Sequence, residues 1–418
     1  GQRSKGDSML TNFLDHKIGK KYNTFDLIVL FLIIAMTLML RLWFIDLQFP
    51  DYTICLKPWV EQFKAYGGFA GLKYNIGNYT PAYMHLLMLI SYFDVEPLYV
   101  IKGVGICLDY VLAIVAAKLI APEDSKYKQV LLFSAVLLLP TVIANSGVWG
   151  QCDNIYTIFI LTALYIAMKE KTLTLHFGGK KGTAKPFVIQ TDTLVLFCIG
   201  CAFSFKLQTV FILPVLAVIF LWKNYRLRTL LWIPGVYCIT LIPSLIAGRP
   251  LKELLLLYVS QAGTHAELQL KYPNIYSFWQ FDALADKFGQ FCIVFCAASL
   301  VLFVYYFYHK KVELTREFLC CFTAFSVLYI TFFLPHMHDR YAYIAEIVML
   351  FYLFRPRKLW RPVVAQLLAL ATYGETLFWF SYDGMEQPAA LVRLFLLLVL
   401  GIDLLQQTKG VQMKQDLL

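Results

Sequence analysis

Charge is what this chain of 418 residues has little of. Asp, Glu, Lys and Arg make up 15% of it, against 59% hydrophobic residues. A soluble domain cannot bury that much apolar surface, so an ordinary soluble globule is excluded and a polytopic membrane protein is indicated. Acidic residues are the scarcer sign, 27 against 37 Lys and Arg, which gives a formal net charge of +10. The basic excess sits in short loops between apolar runs, as the positive-inside rule produces, so nucleic-acid binding is excluded. A Gly-rich phosphate loop is lacking, and the basic loops leave no room for a nucleotide-binding domain. No cleavable signal peptide is expected, because the first apolar run is long and follows a basic stretch; Gly1 to Ser8 reads as an expression scar before Met9. The ten cysteines lie mostly inside apolar runs. Cys198-x-x-Cys201 has metal-ligand spacing but no nearby His, and reads as a pair of small packing residues.

What is present is a series of apolar runs. About 20 such residues cross the hydrocarbon core as a helix. The runs predict spans near 26–46, 97–120, 129–147, 154–168, 192–205, 207–222, 229–247, 288–308, 317–334, 341–354, 362–381 and 389–406. The segment 80–93 is apolar but short. If it lies along the interface or dips into it, the basic loops fall on one side, including Lys126 and Lys128, Lys180, Lys181 and Lys185, and Arg355 to Arg361. That reading gives about 12 transmembrane helices with both termini cytoplasmic. Two external loops are then long. Residues 47–96 contain Asp51 and an amphipathic, interfacial stretch from Lys57 to Tyr66; residues 248–287 carry Tyr276, Trp279 and His265, which could touch sugars. Short polar external turns remain at 149–154, 205–208, 335–340 and 382–387. Chemistry therefore belongs on the outer face, where no ATP-like donor is expected and an activated substrate has to be carried by lipid.

These external residues form motifs. Asp51-Tyr52 followed by Pro58-Trp59 resembles the Asp-Tyr…His-Trp element of the endoplasmic-reticulum glucosyltransferases that extend the dolichol-linked oligosaccharide. Asn78-Tyr79-Thr80-Pro81-Ala82-Tyr83 resembles their Asp-Tyr-Pro-Pro element, with Asn78 and Ala82 in place of the acidic and second Pro residues. Pro335-His336-Met337-His338-Asp339-Arg340-Tyr341 resembles their His-Val-His-Glu-Lys. Trp149-Gly150-Gln151-Cys152-Asp153 and Phe205-Lys206-Leu207-Gln208 look closer to bacterial proteins related to the GPI-anchor mannosyltransferases. Together they resemble the GT-C glycosyltransferases. The resemblance implies an all-α polytopic fold with a long first external loop, a polyprenyl-phosphate sugar donor, inversion at the anomeric carbon, and no nucleotide sugar. It also implies a division into a cytoplasmic N-terminal segment (1–25), a catalytic transmembrane module (26–247), an external loop (248–287) and a variable C-terminal module (288–418). The membrane is then the bacterial cytoplasmic membrane with the site facing outside, or the endoplasmic reticulum with the site facing the lumen.

Inverting transfer needs one carboxylate to take the proton of the attacking hydroxyl, and Asp51 is placed for it; as a bland alternative it caps the interfacial helix. His336, His338 and Arg340 at a span end are donors that can hold a departing lipid phosphate, or they snorkel to the interface. Asp339 could orient a histidine, and the His/His/Asp set is also of the type that binds a divalent ion, although no metal or cofactor is expected. Lys206 is a second phosphate contact or a snorkelling lysine. Asp153, Gln151, Asn78 and Tyr79 are the acceptor contacts that the motifs suggest; Asp153 is otherwise a helix N-cap. Lys102 and Asp109, seven residues apart in one span, either line a lipid groove or pair with other helices, and Glu346 shares that ambiguity. Asn78-Tyr79-Thr80 is followed by Pro and reads as motif rather than glycan site. Rival functions are a transporter or flippase of lipid-linked sugars, for which no inverted repeat is visible, and a polymerase or ligase using a polyprenyl-diphosphate donor.

Overall fold

The computed structural model describes residues 5–176, 186–262, 267–279, 282–378 and 383–415. Lys180, Lys181, Lys185, His265 and Tyr382 lie outside them. The chain is overwhelmingly helical, with three two-residue or three-residue strand pairs as its β-structure among the described residues. Among the described residues, six helices are long and apolar enough to cross a membrane: Thr24–Leu42, Pro97–Ile120, Leu227–Ile246, Ala283–His309, Arg316–Phe333 and Glu386–Lys409. The pair Lys126–Leu138 and Pro140–Val148 makes a seventh if its 49° bend is one broken span. This is an all-α membrane protein.

Each of the twelve apolar runs coincides with helix, but twelve crossings are not what lengths and composition give. Pro140 breaks one run, because its ring cannot continue the preceding turn. Helices Asp153–Lys169, Thr191–Phe205 and Leu213–Trp222 are 17, 15 and 10 residues long. Helix Tyr343–Val348 runs on into a tighter 3₁₀ turn, Met349–Tyr352. Helix Pro81–Ile90 has ten residues, about 15 Å or half of the hydrocarbon thickness, so alone it does not cross.

The main core gathers around Arg316–Phe333, a helix buried on every side from Phe318 to Phe332. Helices Pro97–Ile120, Asp153–Lys169 and Thr191–Phe205 pack beside it in the same apolar cluster. A smaller cluster lies under the segment 47–96, where Tyr52, Val60 and Phe63 meet Tyr83, Leu87 and Leu98. Gly67 and Gly68, both at positive φ (81° and 79°), reverse the chain there as a side chain would not easily allow.

Buried charges hold the helices in register. Arg41 and Asp109 are both fully buried and pair at 2.8 Å. Asp109 also accepts hydrogen bonds from Ser146 Oγ and, at 3.0 Å, from Asn154 Nδ2. One carboxylate thereby ties Thr24–Leu42, Pro97–Ile120, the segment Ile143–Val148 and Asp153–Lys169 together. Lys102 Nζ donates to the carbonyls of Phe44 and Leu47, each at 2.7 Å, and closes the end of the first spanning helix. Both intramembrane charges therefore pair with other elements. Asp109→Ala leaves Arg41 buried without its carboxylate, which is expected to destabilise the fold by about 3–5 kcal/mol. A clear fall in the thermal unfolding midpoint in detergent checks this; an unchanged midpoint contradicts it.

Candidate active site

The motif segments converge at one end of the bundle. Asp51 opens a wide, π-helical turn, Asp51–Leu56, and a second such turn, Ile143–Val148, carries the chain toward Trp149. Such widened turns recur at functional sites. Gly150, at φ 78°, then turns the chain so that Gln151 reaches back to the first loop. Gln151 Nε2 donates to Asp51 Oδ2 at 2.5 Å.

Asp51 lies on a cavity of about 1190 Å³, whose wall includes Trp59, Tyr79, Trp149, His338, Asp339 and Arg340. A second cavity of about 340 Å³ adjoins it, and Asn78, Tyr79, His338 and Arg340 line both. The smaller one has Lys206 and His336 on its wall together with Phe205, Leu207, Val210 and Phe211. It is an apolar slot with a cationic end.

The cationic end is built on Asp153. This carboxylate, 1% exposed, accepts from Lys206 Nζ at 2.5 Å through Oδ1. Through Oδ2 it accepts from Asn145 Nδ2 at 2.6 Å and pairs with Arg340 Nε at 3.2 Å. Asn145 also donates to the Tyr373 hydroxyl at 3.1 Å. Arg340 lies over the Trp149 ring, 5.3 Å from its centroid. Lys206 and Arg340 thus converge on one buried carboxylate beside the slot.

The turn 335–340 is held from outside. Strand Gln269–Leu270 pairs in parallel with Met337–His338. His336 has a left-handed φ of 64°, its amide donates to Leu268 O at 2.9 Å, and its Nδ1 donates to Glu267 O at 2.6 Å. Asp339, 6% exposed, accepts from Thr376 Oγ1 and lies 4.0 Å from Arg340 Nη1. Burial pushes its carboxyl above the usual Asp range, against the opposing pull of Arg340 and Thr376.

Set against the sequence reading, Asp51, Asn78, Tyr79, Lys206, His338 and Arg340 all reach the joined cavities. The others are placed differently. Asp153 lines neither cavity, and its oxygens meet Lys206, Arg340 and Asn145. Gln151, 6% exposed, bonds Asp51 and also lines neither. His336 holds the Glu267 carbonyl with Nδ1 and faces the smaller cavity only. Tyr276 is fully buried, its hydroxyl donating to Phe333 O at 2.8 Å, and Trp279 Nε1 donates to Asp282 at 2.9 Å, so neither ring lines the cavities as a sugar contact. Among the described residues, no group of three or more His, Cys, Asp and Glu converges as metal ligands. Asn145, Tyr373 and Thr376 escaped the sequence reading. A lone Asn in the apolar run before Trp149 was the available signal, since a buried amide needs partners. No protein-family model matches the chain, and no curated protein is detectably similar to it.

Proposed function

We propose that this membrane protein is an inverting GT-C type glycosyltransferase that moves a sugar from a polyprenyl-phosphate carrier to a lipid-linked or cell-surface glycan on the outer face of the membrane. One observation carries the reading. A half-buried carboxylate, Asp51, stands on a large cavity lined by many charged side chains, which shares His338 and Arg340 with an apolar slot that Lys206 also lines. A lipid-linked phosphosugar has that polarity: the isoprenoid lies against Phe205, Val210 and Phe211, the phosphate meets Lys206, Arg340 and His338, and the sugar projects toward Asp51.

The reaction follows from the placement. Asp51 takes the proton of an acceptor hydroxyl as its oxygen attacks the anomeric carbon. The bond from that carbon to the phosphate oxygen breaks on the opposite face, and polyprenyl phosphate leaves with an added negative charge. The bound phosphodiester carries one negative charge, and Lys206 and Arg340 are the cations on the slot that face it. The added charge on the leaving phosphate falls to Arg340 and His338, preoriented donors that need little rearrangement as it develops. Gln151 keeps Asp51 aimed at the cavity.

The test uses purified protein in detergent, a polyprenyl-phosphate hexose of defined anomeric configuration, and the lipid and glycan extract of the source cell. The expected outcome is stoichiometric release of polyprenyl phosphate and a glycoside of the opposite configuration, read by proton NMR. Release of polyprenyl diphosphate from the corresponding diphosphate donor alone, or movement of the intact donor across vesicles without bond cleavage, overturns the proposal.

A further inference from the structure

Building on the proposed function, we infer that the acceptor in the larger cavity is an oligosaccharide of several units that is uncharged or amine-bearing, and that this cavity selects against anionic glycans. Size comes first. At about 1190 Å³ the cavity exceeds the roughly 300–1,000 Å³ of sites for drug-sized ligands, so it holds more than a single sugar ring.

Its wall is suited to carbohydrate. Trp59, Tyr79 and Trp149 line it, and such rings offer an apolar face with a polar edge, to which the CH face of a sugar can pack. Trp59 is set firmly: Tyr79 meets it edge-on with centroids 5.3 Å apart, and Gly77 backs it so closely that a Cβ there would fall 2.8 Å from the ring. Gly77 also sits at φ 70°, a conformation that suits glycine. One face of Trp149 is taken by Arg340, which leaves Trp59 and Tyr79 as the platform nearer the first loop.

Charge then narrows the class. Away from Arg340 and His338, the wall carries Glu267, Asp282, Asp286 and Glu386 against one cation, Lys271. Asp282 caps the following helix, accepting from Ala285 N at 2.7 Å as well as from Trp279, which favours its ionised form, so all four carboxylates contribute to the field. Carboxylates accept hydrogen bonds from sugar hydroxyls and ammonium groups, and repel uronates and phosphates. The two cavities are thus opposite in sign where their substrates differ, cationic for the phosphate donor and acidic for the acceptor.

The experiment applies the labelled full-length protein, in detergent at low salt, to a glycan array. The array carries neutral, amino-sugar, and uronate- or phosphate-bearing oligosaccharides of two to six units. Binding is expected to neutral and amino-sugar chains of three or more units, with anionic chains of equal length weaker by at least about tenfold. Salt should narrow the gap, and so should the double variant Glu267→Lys/Asp286→Lys. Binding led by anionic glycans, no glycan binding at all, or a gap untouched by the double variant overturns the inference. Donor cleavage measured on the same preparations separates the two readings. Protein that cleaves donor but prefers anionic glycans refutes the acceptor class and keeps the transferase. Protein that binds neutral oligosaccharides but cleaves no donor refutes the transferase and keeps the ligand class of the cavity.

Discussion

Asp51→Asn is expected to lower the rate of sugar transfer by about 10²–10⁴-fold, the usual consequence of removing a general base. The substitution is nearly isosteric, and an amide oxygen can still accept from Gln151 Nε2, so the loop keeps its geometry. What it loses is the ability to take a proton at neutral pH. Donor binding should persist, because Lys206, His338 and Arg340 face the slot where the phosphate is assigned and Asp51 does not line that slot. The measurement is single-turnover transfer alongside equilibrium binding of the polyprenyl-phosphate sugar. Near wild-type transfer would place the base elsewhere. Asp153 could not serve, since its oxygens are occupied, and Glu61 lies in a separate surface groove with Lys57 and Lys64. Asp339, buried on the wall of the same cavity and shifted toward its protonated form, would be the next carboxyl to test.

Much of this site was legible before any coordinates, for a physical reason. In a chain this apolar, a polar residue at the end of a hydrophobic run is conspicuous, and Asp51, Lys206, His338 and Arg340 all stand at such ends. The helix Pro97–Ile120 falls where the apolar run near 97–120 was read, and Pro97 at its first turn suits that start. Pairings across long separations were not. Arg41 and Asp109 are 68 positions apart, and no local pattern says that they meet. The same holds for Asp153: the sequence shows a carboxylate beside a helix start, whereas its partners Lys206 and Arg340 come from distant turns. The number of crossings was also beyond the sequence, because an apolar run does not reveal where it bends. Pro140 kinks one run, and 3₁₀ geometry tightens the beginning of another at Leu207–Ile212.

Arg340→Ala is expected to lower kcat by about 10²–10³-fold, the scale of losing a preoriented donor to a developing oxyanion, and to raise the donor KM as well. Two accounts of Arg340 have to be separated, since it faces both Asp153 and the cavities. If it only neutralises Asp153, then Arg340→Ala/Asp153→Asn, which removes both charges together, should recover most of the activity. If it holds the phosphate, the double variant stays slow, because an amide at position 153 supplies nothing to the leaving group. Arg340→Lys serves as the intermediate case: a point charge remains, but the planar fork that can bind two phosphate oxygens is gone, so part of the loss should persist. Loss of packing on Trp149 is controlled by the thermal midpoint of each variant in detergent. Lys206 still pairs with Asp153 in the single variant, so the fold should survive Arg340→Ala. The outcome that removes Arg340 from the phosphate site is a folded single variant with unchanged kcat and donor KM, or a double variant restored to wild-type turnover. A double variant as slow as Arg340→Ala, with weakened donor binding, places the guanidinium on the departing phosphate.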